Sequence, residues 1–369
     1  MTAPPRVALV HDWLTGFRGG EQVLLSLARL FPDAPIFTLL HVKGSLPEEL
    51  ESRTIRTSFI GKLPFARRLY RHYLPLFPLA VRGLDVRSFD LVVSSSHCVA
   101  KSVTPGPQAR HISYCHTPMR YVWDRFDDYF GPARVGRLGS AALRVMAEGL
   151  RAWDVATAHH VHQYVANSET VAARIRHFYG REATVIEPPV DTDFFTPGPD
   201  DPPSPDYDLV VSALVPYKRI DLAIDAANLT GRKLLVVGSG PEEARLRRRA
   251  GANVEFLGSA NRERLLGLYR GCRALVLPGV EDFGIVVAEA LACGRPAVVH
   301  ARGGGAEIVK HGEFGQTFTE FSGEAVAAAF HQLVPNRFSR LSLRKRAETF
   351  SRSKFEDRFR RLVDAPGGA

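Results

Sequence analysis

At 369 residues the chain is longer than a single hydrophobic core usually organises, so two domains are expected, and its ordinary balance of 45% hydrophobic and 24% charged residues is that of a globular protein. No apolar run approaches the roughly eighteen residues of a membrane span, and Met1 to Arg6 leads straight into a strand pattern without a signal peptide, so a cytoplasmic location is expected. The formal charge of +9 comes with no recognised nucleic-acid module, which argues against a nucleic-acid partner.

Val7 to Val10 reads as the first strand. It is followed by His11-Asp-Trp-Leu-Thr-Gly16-Phe-Arg-Gly19-Gly20-Glu21 and a helical pattern reaching Phe31. Paired glycines at a helix mouth, here Gly19 and Gly20, can line a phosphate or let an acceptor approach the backbone; a tight turn accounts for them equally well. Their spacing is neither that of the dinucleotide fingerprint nor that of the ATP-type phosphate loop.

A second apolar run, Ile36 to Leu40, precedes a charged stretch. From Ser52 to Leu84 there are seven Lys or Arg and no acid, interleaved with Phe59, Ile60, Leu63, Phe65, Leu69, Tyr70, Tyr73, Leu74, Leu76 and Phe77. That pattern suits an anionic membrane surface, the plain alternative being a solvated basic face beside a core stripe. Strands are next expected at Leu91 to Val93, His111 to Tyr114, Tyr164 to Ala166 and Thr184 to Ile186. After the second of these comes Cys115-His116-Thr-Pro-Met-Arg120-Tyr-Val-Trp-Asp124. Pro118 favours extended or turning backbone at Thr117, leaving His116 at a strand terminus where it can face a ligand.

Pro188-Pro189 and then Thr196-Pro-Gly-Pro-Asp-Asp-Pro-Pro-Ser-Pro205 forbid helix and central strand alike and read as a linker. Asp191 and Asp193 lie there without further ligands and are rejected as a metal pair. Beyond it, runs at Leu209 to Val211, Leu234 to Val237, Val254 to Leu257, Ala274 to Leu277 and Ala297 to Val299 alternate with helical patterns. The chain is therefore expected to be α/β, with two doubly wound parallel-sheet domains facing a cleft: residues 1–190, residues 206–336, and a tail 337–369 of two amphipathic helices crossing back to the first domain.

Lys218 and Arg219 follow the first strand of the second half. Two adjacent cations there can neutralise a diphosphate, each charge pair at 4 Å being worth about 4 kcal/mol at an effective dielectric near 20. Gly238-Ser-Gly240 and Gly303-Gly304-Gly305 follow later strands and read equally well as turns. Cys98, Cys115, Cys272 and Cys293 have no metal-type or redox spacing and are expected to be reduced and buried.

The most informative stretch is Glu281-Asp-Phe283-Gly284-Ile285-Val286-Val-Ala-Glu289. Pro278-Gly279 closes a buried strand, Glu281 sits in the loop, and a helix is expected from Ile285 to Ala292, stopped by Gly294 and Pro296. Free N–H groups of Gly284, Ile285 and Val286 would make an anion site at the helix start. Glu289, five residues on at about 1.5 Å each, would lie beside a nucleotide rather than on its phosphates. The two carboxylates are thus too far apart for an acid/base pair, and suit a ribose at Glu289 and sugar hydroxyls at Glu281.

Together these residues resemble glycosyltransferase family 4, whose members are retaining enzymes of the GT-B fold, over nearly the whole chain. Glu281 to Glu289 is similar to that family's E-x7-E element, and Lys218 matches the lysine placed on the donor diphosphate. The resemblance implies that Glu281 contacts the donor sugar, that Phe283 to Val286 approach the donor, and that Glu289 holds the ribose. It also implies that His116 lies near the reacting sugar and that Gly19-Gly20 are the first-loop glycines. Many members carry arginine where this chain has Ala213, and Arg219 is the candidate to supply that charge. The His116 and Lys218 motifs look most like bacterial mannosyltransferases building O-antigen or exopolysaccharide on a lipid carrier. The implied donor is a nucleotide diphosphate sugar, GDP-mannose, used without a metal cofactor, and the implied acceptor is a lipid-linked saccharide at the inner face of the membrane. Two other functions fit the same architecture: a nucleotide-sugar epimerase, and a non-catalytic sugar-nucleotide or membrane-binding protein.

Overall fold

Short, branched apolar runs separated by helix-length amphipathic segments build two wholly parallel sheets. The structure is a computed structural model that describes residues 5–198, 206–333 and 338–365. Linker residues 199–205 and the expected domain boundary at 336–337 lie outside the described residues. Two compact units result, one running to Glu187 and resuming at Glu356, the other comprising Pro188–Phe355.

The first unit's strands are β1 (Val7–His11), β2 (Ile36–Thr38), β3 (Ile55–Thr57), β4 (Leu91–Ser96), β5 (Arg110–Cys115), β6 (Gln163–Ala166) and β7 (Ala183–Val185), in the order β3-β2-β1-β4-β5-β6-β7. The order reverses between β1 and β4, the kind of switch point beside which open α/β sheets take ligands. Leu9, Val10, Val92, Val93 and Ile112 fill the sheet's interior. The basic stretch splits by residue. Ile60, Ala66, Tyr70, Leu74, Phe77, Ala80 and Val81 enter the core, whereas Phe65 and Leu79 remain 76% and 63% exposed among exposed Lys62, Arg67, Arg68, Arg71 and Arg82. From Glu356 the last helix (Arg352–Asp364) belongs to this unit, where Arg110 donates to the carbonyls of Leu362 and Val363 at 3.0 and 2.7 Å.

The second unit repeats the plan with β8 (Tyr207–Val211), β9 (Lys233–Val237), β10 (Val254–Gly258), β11 (Cys272–Leu277), β12 (Ala297–His300) and β13 (Gly315–Phe318), in the order β10-β9-β8-β11-β12-β13. Its switch point falls between β8 and β11. Leu209, Leu275, Val287, Leu291 and Val299 lie in one core, Val210, Ile224, Val236, Val276 and Phe330 in another. All four cysteines are buried and lie outside any disulfide.

The structure adds β3 and β13, which the apolar runs did not mark. β3 is a partly exposed edge strand with Arg56 and Thr57 turned outward, and β13 reads Gly-Gln-Thr-Phe. It also carries β4 three residues past Val93, through Ser94, Ser95 and Ser96.

Candidate active site

In the first unit, His11 ends β1, Ser95 pairs with it in register on β4, and His116 directly follows β5. Ser95 Oγ stands 3.2 Å from His11 Nδ1 and 2.8 Å from His116 Nε2. Asn167 Nδ2 donates to the His116 carbonyl at 3.0 Å. Gly20 borders both rings, since a Cβ there would lie 3.5 Å from His11 Cε1 and 3.8 Å from His116 Nε2, while the corresponding side of Gly19 is open. Glu21, in the first turn of the Gly19–Leu30 helix, accepts the Arg18 N–H at 2.9 Å and reaches to 3.9 Å from His11 Nε2.

Burial keeps these imidazoles neutral. It draws His11 and His116 down to about 3 and His97 to about 4, with neighbouring charge adding to the effect: His97 acts on the first two, Arg71 and Arg18 on the third. Asp12, fully buried, accepts the backbone N–H groups of His97, Cys98, Val99 and Ala100 at 2.6, 2.9, 2.6 and 2.7 Å. That fourfold cap fixes the chain leaving β4 and with it His97, whose ring centroid lies 6.0 Å from that of His11 and 6.3 Å from that of His116.

In the second unit, Lys218 ends a short turn after β8 and forms an ion pair with Glu281 from the loop after β11, both side chains being part-buried. Gly279 makes the approach possible: a Cβ there would fall 2.7 Å from the Tyr217 carbonyl and 2.9 Å from Lys218 Cα. The loop is braced from its other side by Gly304, whose N–H donates to Glu281 O at 2.9 Å and whose Cβ, had it one, would meet Asp282 O and Phe283 Cα at 2.4 Å. Gly279, Gly303 and Gly304 therefore serve close backbone packing of the site loops, whereas a Cβ at Gly305 would meet the Leu277 and Val299 side chains.

Gly284 adopts φ +89°, a left-handed conformation that favours glycine, and opens the Ile285–Ala292 helix. The N–H groups of Gly284, Ile285 and Val286 donate to no group among the described residues. The Phe283 ring belongs to the core, edge-on to Phe350 at 5.5 Å, so what this residue offers a ligand is backbone. Glu289 is buried one turn along the helix, accepts the Tyr269 hydroxyl at 2.8 Å, and is pushed up to about 7 by its burial. Arg219, left-handed at φ +51°, pairs with Asp221 at 3.1 Å and lies 5.3 Å from the Phe321 ring centroid. Ala213 is exposed.

Of the residues singled out from sequence, Gly20 and His116 come together in the first unit, and Lys218, Glu281 and Gly284 to Val286 in the second. Ser95, His11, Glu21 and Tyr269 went unrecognised. Polar residues inside strands and an ordinary tyrosine in a helix carry no periodic signal; the one available hint was a run of three serines following an apolar strand.

Each sheet order, reversing at a central switch point, is that of a Rossmann-like α/β unit. The whole chain superposes on solved GT-B glycosyltransferases. Anabaena HepE in complex with UDP and glucose matches over 98% of this chain and 100% of that one, with TM-score 0.73 and 17% identity. Sucrose-phosphate synthase from Thermosynechococcus elongatus matches over 98% of both chains, with TM-score 0.72 and 18% identity. The fold is thus GT-B.

Sequence comparison gives the family. The model for glycosyltransferase family 4 matches residues 17–194 and that for glycosyl transferases group 1 matches residues 198–350. Together the two models cover nearly the whole of residues 17–350, and the chain belongs to glycosyltransferase family 4. The GDP-mannose-dependent alpha-(1-6)-phosphatidylinositol dimannoside mannosyltransferase of Mycobacterium tuberculosis is 36% identical over 145 residues, 36% of this chain and 37% of that protein. The O-antigen chain mannosyltransferase C of Escherichia coli is 29% identical over 41% of this chain and 44% of that one. The D-inositol 3-phosphate glycosyltransferase of Rhodococcus erythropolis is 32% identical over 51% of this chain and 50% of that one. The matched stretches thus span half or less of these relatives.

Proposed function

We propose that the protein is a retaining hexosyltransferase that carries mannose from GDP-mannose to a lipid-linked or saccharide acceptor in cell-surface polysaccharide synthesis. The observation that carries this reading is the Lys218–Glu281 pair beside the open amides of Gly284 to Val286, with the buried carboxylate of Glu289 one turn further along. The donor diphosphate takes Lys218, Arg219 and those amides; Glu281 turns to the sugar hydroxyls and Glu289 to the ribose. As the bond from the anomeric carbon to the phosphate oxygen breaks, the charge growing on that oxygen is met by the same cations and amides. The acceptor oxygen bonds to the anomeric carbon and its proton passes to the departing phosphate oxygen. By its match to the family's first-domain histidine, His116 is proposed as a further contact for the sugar, with Gly20 beside its ring. Two relatives with mannosyltransferase names support mannose as the cargo.

The test is a thermal-shift panel of GDP- and UDP-sugars followed by product analysis with a lipid-diphosphate acceptor. GDP-mannose at a hundredfold excess over its dissociation constant stabilises the protein by about 2.7 kcal/mol. An α-linked mannosyl product with release of GDP is expected, at a rate EDTA does not change. Isomerised donor without acceptor, or binding without GDP release, rejects the proposal.

Phe65 and Leu79, exposed among Lys62, Arg67, Arg68, Arg71 and Arg82, support docking of the first unit on the anionic inner face of the membrane. Among the described residues, no helix is long and apolar enough to cross it. Reversing Arg67 and Arg68 to Glu is expected to weaken binding to vesicles rich in phosphatidylglycerol about thirtyfold or more, at about 1 kcal/mol per basic residue. Equal cosedimentation of wild type and variant rejects membrane docking by this segment.

A further inference from the structure

Glu21, His11, Ser95 and His116 form one line of polar groups in the first unit, and of these only His116 has a part in the function proposed above. Ser95 Oγ bridges His11 Nδ1 at 3.2 Å and His116 Nε2 at 2.8 Å. His11 is 1% exposed, its Nε2 has no hydrogen-bond partner, and the nearest carboxylate oxygen is Glu21 Oε1 at 3.9 Å. Both imidazoles are neutral, so each has one N–H and one lone pair.

The bridging hydroxyl carries a single hydrogen, so it donates to one ring and accepts from the other. In one arrangement His11 Nδ1–H donates to Ser95, Ser95 donates to His116 Nε2, and His116 carries its proton on Nδ1. In the other, His116 Nε2–H donates to Ser95, Ser95 donates to His11 Nδ1, and His11 carries its proton on Nε2. Burial raises the Glu21 carboxyl above its ordinary value, and the N–H groups of Glu21 and Arg18 and the Arg18 charge oppose that rise. When Glu21 is ionised, the first arrangement sets the bare Nε2 lone pair of His11 against its carboxylate. The second points an N–H at that carboxylate, the favourable sign inside a medium of low dielectric.

We infer that Glu21, acting through His11 and Ser95, holds His116 in its Nε2–H tautomer, so that His116 Nδ1 is a hydrogen-bond acceptor for a hydroxyl of the bound sugar. Ser95, His11 and Glu21 are then positioning residues: none touches the sugar, and together they decide whether the imidazole receives or offers a hydrogen. The inference rests on the placement of His116 at the sugar in the proposed function.

Two kinds of measurement separate the inference from that reading. Nitrogen-15 correlation spectra of the histidine rings, recorded on the ligand-free protein, report the tautomer directly. Wild type is expected to show His116 protonated at Nε2. Glu21→Gln keeps the acceptor for the Arg18 N–H but presents an amide N–H to His11 Nε2, and is expected to drive the line into the opposite arrangement, with His116 protonated at Nδ1. Ser95→Ala removes the bridge and is expected to give a mixture of the two tautomers, and Ser95→Thr to restore the Nε2–H form. An unchanged His116 tautomer in both Glu21→Gln and Ser95→Ala overturns the inference.

Turnover with GDP-mannose then tests the reading beneath it. A flipped tautomer turns an acceptor into a donor facing a hydroxyl, and kcat/KM is expected to fall about ten- to a hundredfold. A flipped tautomer with unchanged kcat/KM leaves the relay standing and removes His116 from the sugar.

Discussion

Lys218→Ala is expected to lower the transfer rate at saturating donor by about a hundred- to a thousandfold, the effect of removing one preorganised group from a developing oxyanion. Its structural basis is the ion pair with Glu281, held in place by the close contact of Gly279 with the Tyr217–Lys218 backbone. With Lys218 removed, Glu281 faces an incoming diphosphate as an unpaired carboxylate, so donor affinity suffers twice: an attraction is lost and a repulsion appears. The two effects separate in a double-mutant cycle. Glu281→Gln leaves Lys218 without its anionic partner and is expected to tighten binding of GDP, which has no sugar to lose. The same change is expected to slow transfer, because the amide replaces a carboxylate that accepts sugar hydroxyls. Lys218→Ala with Glu281→Gln should bind GDP better than Lys218→Ala alone. Isothermal titration for GDP and single-turnover assays for transfer give the two readouts. Unchanged turnover in Lys218→Ala at saturating donor excludes the lysine from leaving-group stabilisation.

What the sequence made legible follows from where apolar periodicity coincides with structure. The runs at Leu209, Leu234, Ala274 and Ala297 mark β8, β9, β11 and β12 because central parallel strands are covered on both faces and read as continuous branched apolar residues. The helix from Ile285 to Ala292 was legible from Gly284 at its start and Gly294 beyond its end, both with positive φ. The same logic hid Ser94 to Ser96. These residues are fully or nearly fully buried, but as hydrogen-bonded polar groups: Ser94 meets His111 Nε2 at 2.9 Å, Ser95 meets two imidazoles, and Ser96 accepts from Lys101 N at 3.2 Å. A strand end that trades apolar side chains for hydroxyls looks like a loop from the sequence alone. It also supplies the bridging hydroxyl of the first-unit site.

The glycines teach a related lesson. Glycine beside a strand end suggests a ligand against the backbone, and for Gly284 the left-handed φ and the open amides accord with that reading. At Gly279 and Gly304 the close neighbour is another loop of the same protein. Pattern alone does not distinguish a ligand from a loop as the partner in close approach, because both require the missing Cβ. What distinguishes them is whether the adjoining N–H groups are already engaged: Gly304 N–H is committed to Glu281 O, and those of Gly284 to Val286 are committed to nothing described.

Glu289 is expected to make stability and donor binding depend on pH in opposite directions. Its folded-state value of about 7 lies above the ordinary 4.5, chiefly because burial penalises the carboxylate; the Tyr269 hydroxyl and Arg262 pull the other way and Asp191 adds to the rise. A raised acid contributes its full stability below the unfolded value and loses it as pH climbs through the folded one. Between about pH 4.5 and 7 the ligand-free protein is therefore expected to lose about 3 kcal/mol on account of this residue. Glu289→Gln, which cannot ionise, isolates that loss. Relative to wild type, the variant should gain about 3 kcal/mol in denaturant unfolding between pH 4.5 and pH 8. With the ribose at Glu289 as proposed, donor binding is expected to run the other way, since ribose hydroxyls would donate to the ionised form and lower its pKa. A proton is then released on binding near pH 6.5, and affinity rises with pH by up to about tenfold per unit before levelling above 7. Titration calorimetry in buffers of different ionisation enthalpy counts that proton. Donor binding without proton release in wild type, or with the same release in Glu289→Gln, removes the carboxylate from the ribose.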